Sequence, residues 1–346
     1  MRIRAKTVIV SLFALVTVLV AGAISAIGWQ VVLGPDARQV SSERFEPTEA
    51  RLARGRYLVE VVAHCFECHS EHDMSLPSAP IVAGRKGAGW VMPIPELNNI
   101  ASRNITPDPD TGLGAWKDDE IARAIREGVR RDGTALFPVM PYLEYAEMSD
   151  EDVKSVVVYL RTIPAVRNVV PARSLPFPLE HIVKTMPRPL TQPVPAHEPG
   201  SAVARGAYLS RLAECQVCHS PTDAQGRPLP GLTLAGGGMP FSDPRPGGRP
   251  MVAVNITRDP SGIAHYDEAL FKQVLRTGQM GGRQLTPVMP FSAFAGLTDG
   301  DLSDLWAHLQ TQPAIMHRVS NTDPPTPCPL CLQSHGLGDR NRAVAK

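Results

Sequence analysis

The sequence predicts an all-α protein built from two similar small domains in tandem, preceded by one N-terminal transmembrane helix. Three observations predict this architecture: a long internal repeat, apolar residues at helical spacing between capping residues, and an uncharged apolar stretch close to the N-terminus. A chain of 346 residues has room for two or three domains, each with its own core.

Arg2, Arg4 and Lys6 precede an uncharged stretch from Thr7 to Pro35, apolar from Val8 to Leu33. About 20 such residues span a bilayer as a helix, with the basic end inside. Ala21-Gly22-Ala23 and Ile24-Ser25-Ala26 resemble cleavage sites of a signal peptide, but apolar character continues past both. The expectation is therefore an uncleaved anchor over 1–34, with everything from Gly34 onward exported. Residues 35–50 are polar and read as a tether.

The repeat then sets the elements in order. Thr48–Ala63 has Leu52, Tyr57, Leu58, Val61 and Val62 near helical spacing, and Arg54-Gly55-Arg56-Tyr57-Leu58 returns as Arg205-Gly206-Ala207-Tyr208-Leu209. Asn104-Ile105-Thr106 returns as Asn255-Ile256-Thr257, followed in each copy by a turn and an aromatic, Trp116 or Tyr266. Helices are expected over Asp118–Glu127 and Asp267–Thr277, closed by Gly128 and Gly278. A last helix in each copy starts at a capping-box spacing, Ser149 with Asp152 and Thr298 with Asp301, although the acid is Asp and not Glu or Gln. The units are 51–166 and 202–316. Between them 167–201 is Pro-punctuated, an extended linker whose Leu175, Phe177, Leu179 and Ile182 offer docking side chains. The tail, 317–346, is Pro-rich and then polar.

Lys plus Arg number 35 against 34 acidic residues, so net charge gives no argument for nucleic acid or for an acidic partner. Proline is frequent at 34 residues and aromatics make up only 5%, which suggests short helices, many turns and a cofactor filling core space that aromatic rings would otherwise take.

Each first helix runs into a C-x-x-C-H pentapeptide: Cys65-Phe66-Glu67-Cys68-His69 and Cys215-Gln216-Val217-Cys218-His219. This spacing is that of a c-type haem attachment site, in which two thiols form thioethers to the vinyl groups and the adjacent His lies under the ring as proximal ligand. A zinc half-site, a redox dithiol and a disulfide share parts of the pattern; two complete pentapeptides at matching places in a repeat favour two covalently bound haem c groups. The fold class is then two tandem class I cytochrome c domains behind the N-terminal helix.

A proximal His paired with a thioether gives a six-coordinate iron suited to passing single electrons. Of eleven methionines, Met140 and Met289 occupy equivalent positions, 71 and 70 residues after their His, each in a Pro-Val-Met-Pro frame stiffened by proline, with Met92, Met148, Met251 and Met280 as alternatives. They are the expected distal ligands. Asn104 and Asn255 read as Asx turns holding Thr106 and Thr257, ahead of a role at a haem propionate. Trp116 and Tyr266 suit either a haem edge or a core anchor. His64 and His72 are expected to be exposed and off the iron. Cys328-Pro329-Leu330-Cys331 is no third haem site, since Leu332 stands where the proximal His would be; a disulfide or another structural role is expected there, with metal binding alongside His317 and His335 as the alternative.

With these motifs, the chain resembles the membrane-associated multihaem cytochrome c subunits of periplasmic alcohol and gluconate dehydrogenases. The resemblance runs through Arg54-Gly55 to His69, Asn104 to Pro109, Gly112, Trp116, Gly128, Asp132-Gly133, Met140-Pro141-Tyr142 and Asp150 to Tyr159. It continues in Leu175-Pro176-Phe177-Pro178 and Cys218-His219-Ser220-Pro221, and covers most of 51–316. Members typically carry three haem domains, whereas two are read here. The resemblance implies electrons arriving from a catalytic dehydrogenase subunit of flavin, quinoprotein or molybdenum type and leaving to quinone or a terminal oxidase, at the periplasmic face of the cytoplasmic membrane. The expected function is electron relay without intrinsic substrate chemistry. The alternatives are a dihaem enzyme, such as a peroxidase or thiosulfate-oxidising cytochrome, and an anchoring subunit with mainly structural haems.

Overall fold

The computed structural model of the chain describes residues 10, 13–18, 22, 28–76, 79–92, 100–196, 200–223, 227–243 and 249–342. In chain order the elements are α1 Trp29–Leu33, α2 Glu49–Tyr57, a π-helical turn Leu58–Val62 and α3 Cys65–His69, then β1 Trp90–Val91, β2 Ala101–Ser102, α4 Asp118–Glu127, α5 Tyr142–Tyr145 and α6 Asp150–Leu160. The linker carries α7 Leu179–Val183. There follow α8 Ala202–Leu212, α9 Cys215–His219, β3 Gly237–Ser242, β4 Pro250–Ala253, α10 Glu268–Thr277, β5 Gln279–Met280, β6 Arg283–Gln284, α11 Phe291–Phe294 and α12 Asp299–Thr311. The tail adds β7 Ser320–Pro327, β8 Ser334–Gly336 and a 3₁₀ turn Gly338–Arg340.

Two expectations of the fold class are corrected. The protein is not all-α: among the described residues there are four two-stranded antiparallel ribbons, β1-β2, β3-β4, β5-β6 and β7-β8. They lie in Gly- and Pro-rich connections, where backbone N–H and C=O groups shielded from water must pair with something and helix formers are lacking. The N-terminal transmembrane helix is corrected as well. No helix among the described residues is long and apolar enough to cross a membrane; in that region residues 10, 13–18 and 22 are helical, and α1 has five residues. Much of the apolar run Val8–Leu33 lies outside the described residues.

Helix pairing follows the repeat. In each copy the first and last helices cross at a glycine: a Cβ on Gly55 would collide with the Ser155 carbonyl oxygen, and one on Gly206 with that of Asp304. The matching Arg-Gly dipeptides are thus explained by backbone contact. Arg54 forks onto Asp152 with two bonds of 2.8 Å, and Arg205 onto Asp304 at 2.6 and 2.8 Å. Ser149 and Thr298 accept the backbone N–H of Asp152 and Asp301 as N-caps. Their acids do not close a capping box. They reach across to the other copy instead: the Tyr208 hydroxyl donates to Asp152 at 2.7 Å and accepts the Ser149 N–H, while the Tyr57 hydroxyl donates to Asp301 and accepts the Thr298 N–H. These reciprocal bonds relate the copies by an approximate two-fold, and one continuous apolar core, from Leu58 and Val157 to Leu212 and Leu302, runs through both.

Segments that the sequence leaves as connections are held down. The polar stretch 35–47 is pinned on α4 by Arg38, paired with Asp119 at 2.6 Å and Glu127 at 2.7 Å, and by buried Phe45. In the linker, Leu175, Leu179 and Val183 pack with Ile100, Ala135 and Phe137, whereas Phe177 and Ile182 remain exposed.

Candidate functional site

Each C-x-x-C-H run forms a single short helix whose N-cap, His64 or Glu214, sits in the left-handed region at φ 36° or 59°. That bend turns the chain sharply out of the preceding helix. One helical turn then puts the two cysteines of a pair on adjacent faces with the His behind them. None of Cys65, Cys68, Cys215 and Cys218 is bridged to another cysteine.

The histidines are oriented alike. His69 Nδ1 lies 2.7 Å from the Arg103 carbonyl oxygen and His219 Nδ1 lies 2.7 Å from that of Val254. A carbonyl only accepts, so Nδ1 carries the proton and Nε2 keeps its lone pair. Burial lowers the pKa of both rings, which favours this neutral state. An imidazole held by one nitrogen with the other left as a ligand is the arrangement that a metal-binding His needs.

The machinery behind the two carbonyls is where sequence reasoning fell short. Arg103 directly follows β2 and Val254 directly follows β4, so each ribbon carries the orienting carbonyl at its base. Asn104 and Asn255, one residue on, are buried and form the expected Asx turns. Asn104 Oδ1 accepts the Thr106 N–H at 2.9 Å and hydroxyl at 2.7 Å, and Asn255 Oδ1 accepts those of Thr257 at 2.9 and 2.8 Å. Their amide groups donate onward to Val166 O at 2.7 Å and Ile315 O at 2.8 Å, tying the loop to the chain beyond the last helix. Gly89 and Gly236 close the ring, donating to the carbonyls of His69 and His219 at 2.8 and 2.7 Å. A side chain at either glycine would strike the orienting segment. The recurrence of Ala88-Gly89 as Ala235-Gly236 was the available signal.

Met140 and Met289 are half-buried on equivalent Pro-Val-Met-Pro turns and pack against the core that Cys65 and Cys215 also touch. Trp116 and Tyr266 pack partly buried against that core, and the Tyr266 hydroxyl lies 3.0 Å from Met280 Sδ. His64 and His72 are half-buried, not exposed. His64 stacks on Phe294 at 5.4 Å, and both ring nitrogens of His72 face backbone carbonyls, leaving neither for a metal.

The two motifs approach one another through Tyr145. Its buried hydroxyl donates to Glu214 at 2.5 Å and lies 3.3 Å from Ala63 O, so one side chain touches the chain just before both cysteine pairs. Glu214 is pushed up to about 7, first by burial, against the opposing pull of the Tyr145 bond.

Two unbridged thiols and a neutral imidazole with a free Nε2, carried on one turn and repeated on the same scaffold, fit covalently bound haem c. The class is therefore a c-type cytochrome. No family model matches the chain. It is 31% identical over 312 residues to the fructose dehydrogenase cytochrome subunit of Gluconobacter japonicus, covering 84% of this chain and 60% of that protein. The cytochrome c subunit of the quinone-type alcohol dehydrogenase of Gluconobacter oxydans is 27% identical over 312 residues, with 83% and 61% covered. A dihaem c-type cytochrome of Cereibacter sphaeroides is 27% identical over 261 residues, with 72% and 82% covered. Its homologues include cytochrome c subunits of fructose, gluconate and alcohol dehydrogenases and a dihaem c-type cytochrome, at 27–32% identity. It spans about three fifths of the length of the fructose and alcohol dehydrogenase subunits it matches.

Proposed function

We propose that the chain relays electrons from a periplasmic dehydrogenase to the respiratory chain through two haem c groups. In this reading Cys65 and Cys68 hold one haem with His69 and Met140 as axial ligands, and Cys215 and Cys218 hold the other with His219 and Met289. Units 51–166 and 202–316 are the two haem domains. Haem c held between imidazole and thioether takes up and releases one electron with little change of geometry. The protein's part is to keep each imidazole neutral and aimed, to cover the iron, and to bring the two sites together. The observation that carries the reading is the duplicated His-to-carbonyl bond, 2.7 Å in both copies, beside an unbridged cysteine pair. The contact of Tyr145 with both motifs supports passage of charge between the sites within one molecule.

The donor is a catalytic dehydrogenase subunit, and the acceptor is a quinone or a terminal oxidase at the membrane. Relatives named for fructose, alcohol and gluconate dehydrogenases support the donor class. The test is mass analysis and pyridine haemochrome assay of protein matured in a haem-attaching host, followed by carbon monoxide binding to the reduced form. Two covalent haems that bind carbon monoxide slowly or not at all are expected. A polypeptide without porphyrin, or rapid binding at one iron, would overturn the relay.

A further inference from the structure

A second metal-binding constellation lies in the C-terminal segment, outside both haem sites. His317, Cys328, Cys331 and His335 are all buried, and one ligand atom from each lies within 4.8 Å of every other. β7 and β8 bring the set together by pairing Thr326 with His335 and Pro327 with Ser334. Between the strands the chain folds tightly, with the Leu332 N–H on the Cys328 carbonyl at 3.0 Å and the Cys328 N–H on the Gln333 carbonyl at 2.9 Å. The cysteines are not bridged to each other.

The hydrogen bonding leaves one nitrogen of each histidine aimed at the cysteines or without a partner. His317 Nδ1 donates to Ala235 O at 2.9 Å, so Nε2 is an acceptor, and it faces Cys328 Sγ at 3.4 Å. That sulfur already accepts from the Asn341 amide at 3.4 Å. His335 Nδ1 is spent on Gly336 O at 3.0 Å, and its buried Nε2 has no hydrogen-bond partner. Two imidazole lone pairs and two sulfurs thus converge: the weak Cys328 thiol donor is 3.4 Å from His317 Nε2, and buried His335 Nε2 has no donor. A tetrahedral zinc ion with N and S ligands would set them about 3.3–3.8 Å apart; His317 Nε2 and Cys328 Sγ are already 3.4 Å apart, and all four ligand atoms lie within 4.8 Å of one another.

The first unit supplies an internal control. Asn168 occupies the place of His317: its N–H donates to Thr111 Oγ1 at 3.0 Å and its amide to Ala88 O at 2.9 Å, as His317 donates to Ser261 Oγ at 3.0 Å and Ala235 O. The structural duty of the position needs only one side-chain donor. Histidine meets it and leaves a second nitrogen aimed at the cysteines.

We propose that His317, Cys328, Cys331 and His335 bind one structural zinc ion that fastens the C-terminal segment to the loop behind His219. The cysteines bind as thiolates, their protons passing to solvent, so the pair neutralises the ion. Gly237, whose added Cβ would meet both His317 Cε1 at 2.9 Å and Cys331 Sγ at 3.4 Å, marks where the site presses on that loop. The proposal does not depend on electron relay. Its test is the zinc content of the full-length protein per polypeptide, with X-ray absorption at the zinc edge, which haem iron does not obscure. One zinc with two sulfur and two nitrogen neighbours is expected, falling to none in Cys328→Ser/Cys331→Ser. A zinc-free protein with a Cys328–Cys331 disulfide in its peptide map would overturn the proposal, as would full zinc retention in the double variant. If that variant does not accumulate, the wild-type count and edge spectrum decide alone.

Discussion

Glu214→Gln should remove a pH dependence of stability that the interface between the two motifs builds in. Glu214 has an ordinary value of 4.5 and is raised to about 7 in the fold, by burial first and by neighbouring Glu144 to a smaller extent. Between those values the folded chain keeps a proton that the unfolded chain has released. Stability therefore falls as pH rises through this window, by about 1.4 kcal/mol per unit. The full penalty, present above about pH 7, is on the order of 3 kcal/mol and is absent below the unfolded value. Gln preserves an oxygen acceptor for the Tyr145 hydroxyl but carries no charge. His64, at the equivalent cap, is pushed by burial down to about 4 and acts oppositely, raising stability as pH climbs from there to its ordinary 6.5. The wild type alone would blend the two effects, and the difference between wild type and variant isolates Glu214. Urea unfolding of the haem-loaded protein from about pH 5 to about pH 8 should give a variant advantage that grows by about 2.5 kcal/mol across the series. Parallel curves would show that Glu214 is not held in a desolvated site.

Met140→Ala and Met289→Ala should each lower one haem potential and open one iron to carbon monoxide, as potentiometric titration would read; unchanged potentials in both would refute the ligand assignment. Tyr208→Phe leaves buried Asp152 and the Ser149 N–H each short of a partner, so a loss of about 1–3 kcal/mol is expected in chemical denaturation. Asn255→Ala removes the Asx turn behind the carbonyl that holds His219. It should cost about 2 kcal/mol or more, with the second haem's spectrum disturbed before the first's.

The two C-x-x-C-H turns, the duplication and several helix boundaries were legible because each rests on local sequence. The helix Asp118–Glu127 ends at Gly128, and Glu268–Thr277 begins at an Asp267 cap and ends at Gly278, where the sequence places such signals. The ribbons were not legible, since strands of two to eight residues in Gly- and Pro-rich loops show no alternation to read. Asp152 and Asp301 illustrate the same limit. As sequence they are imperfect capping-box acids; in the fold, tyrosines 56 and 244 residues away take their oxygens.

The amino-acid order by itself determined that two thiols and an adjacent imidazole stand within five residues, at the spacing a c-type haem attachment needs. It also determined that the arrangement occurs twice. Tertiary structure alone decided that the imidazoles are aimed by carbonyls 34 and 35 residues away, that a glutamate at the junction resists ionisation, and that two histidines and two cysteines of the tail face one another. Coordination, desolvation and hydrogen-bond direction depend on distances through space, and those exist only once the chain has closed on itself.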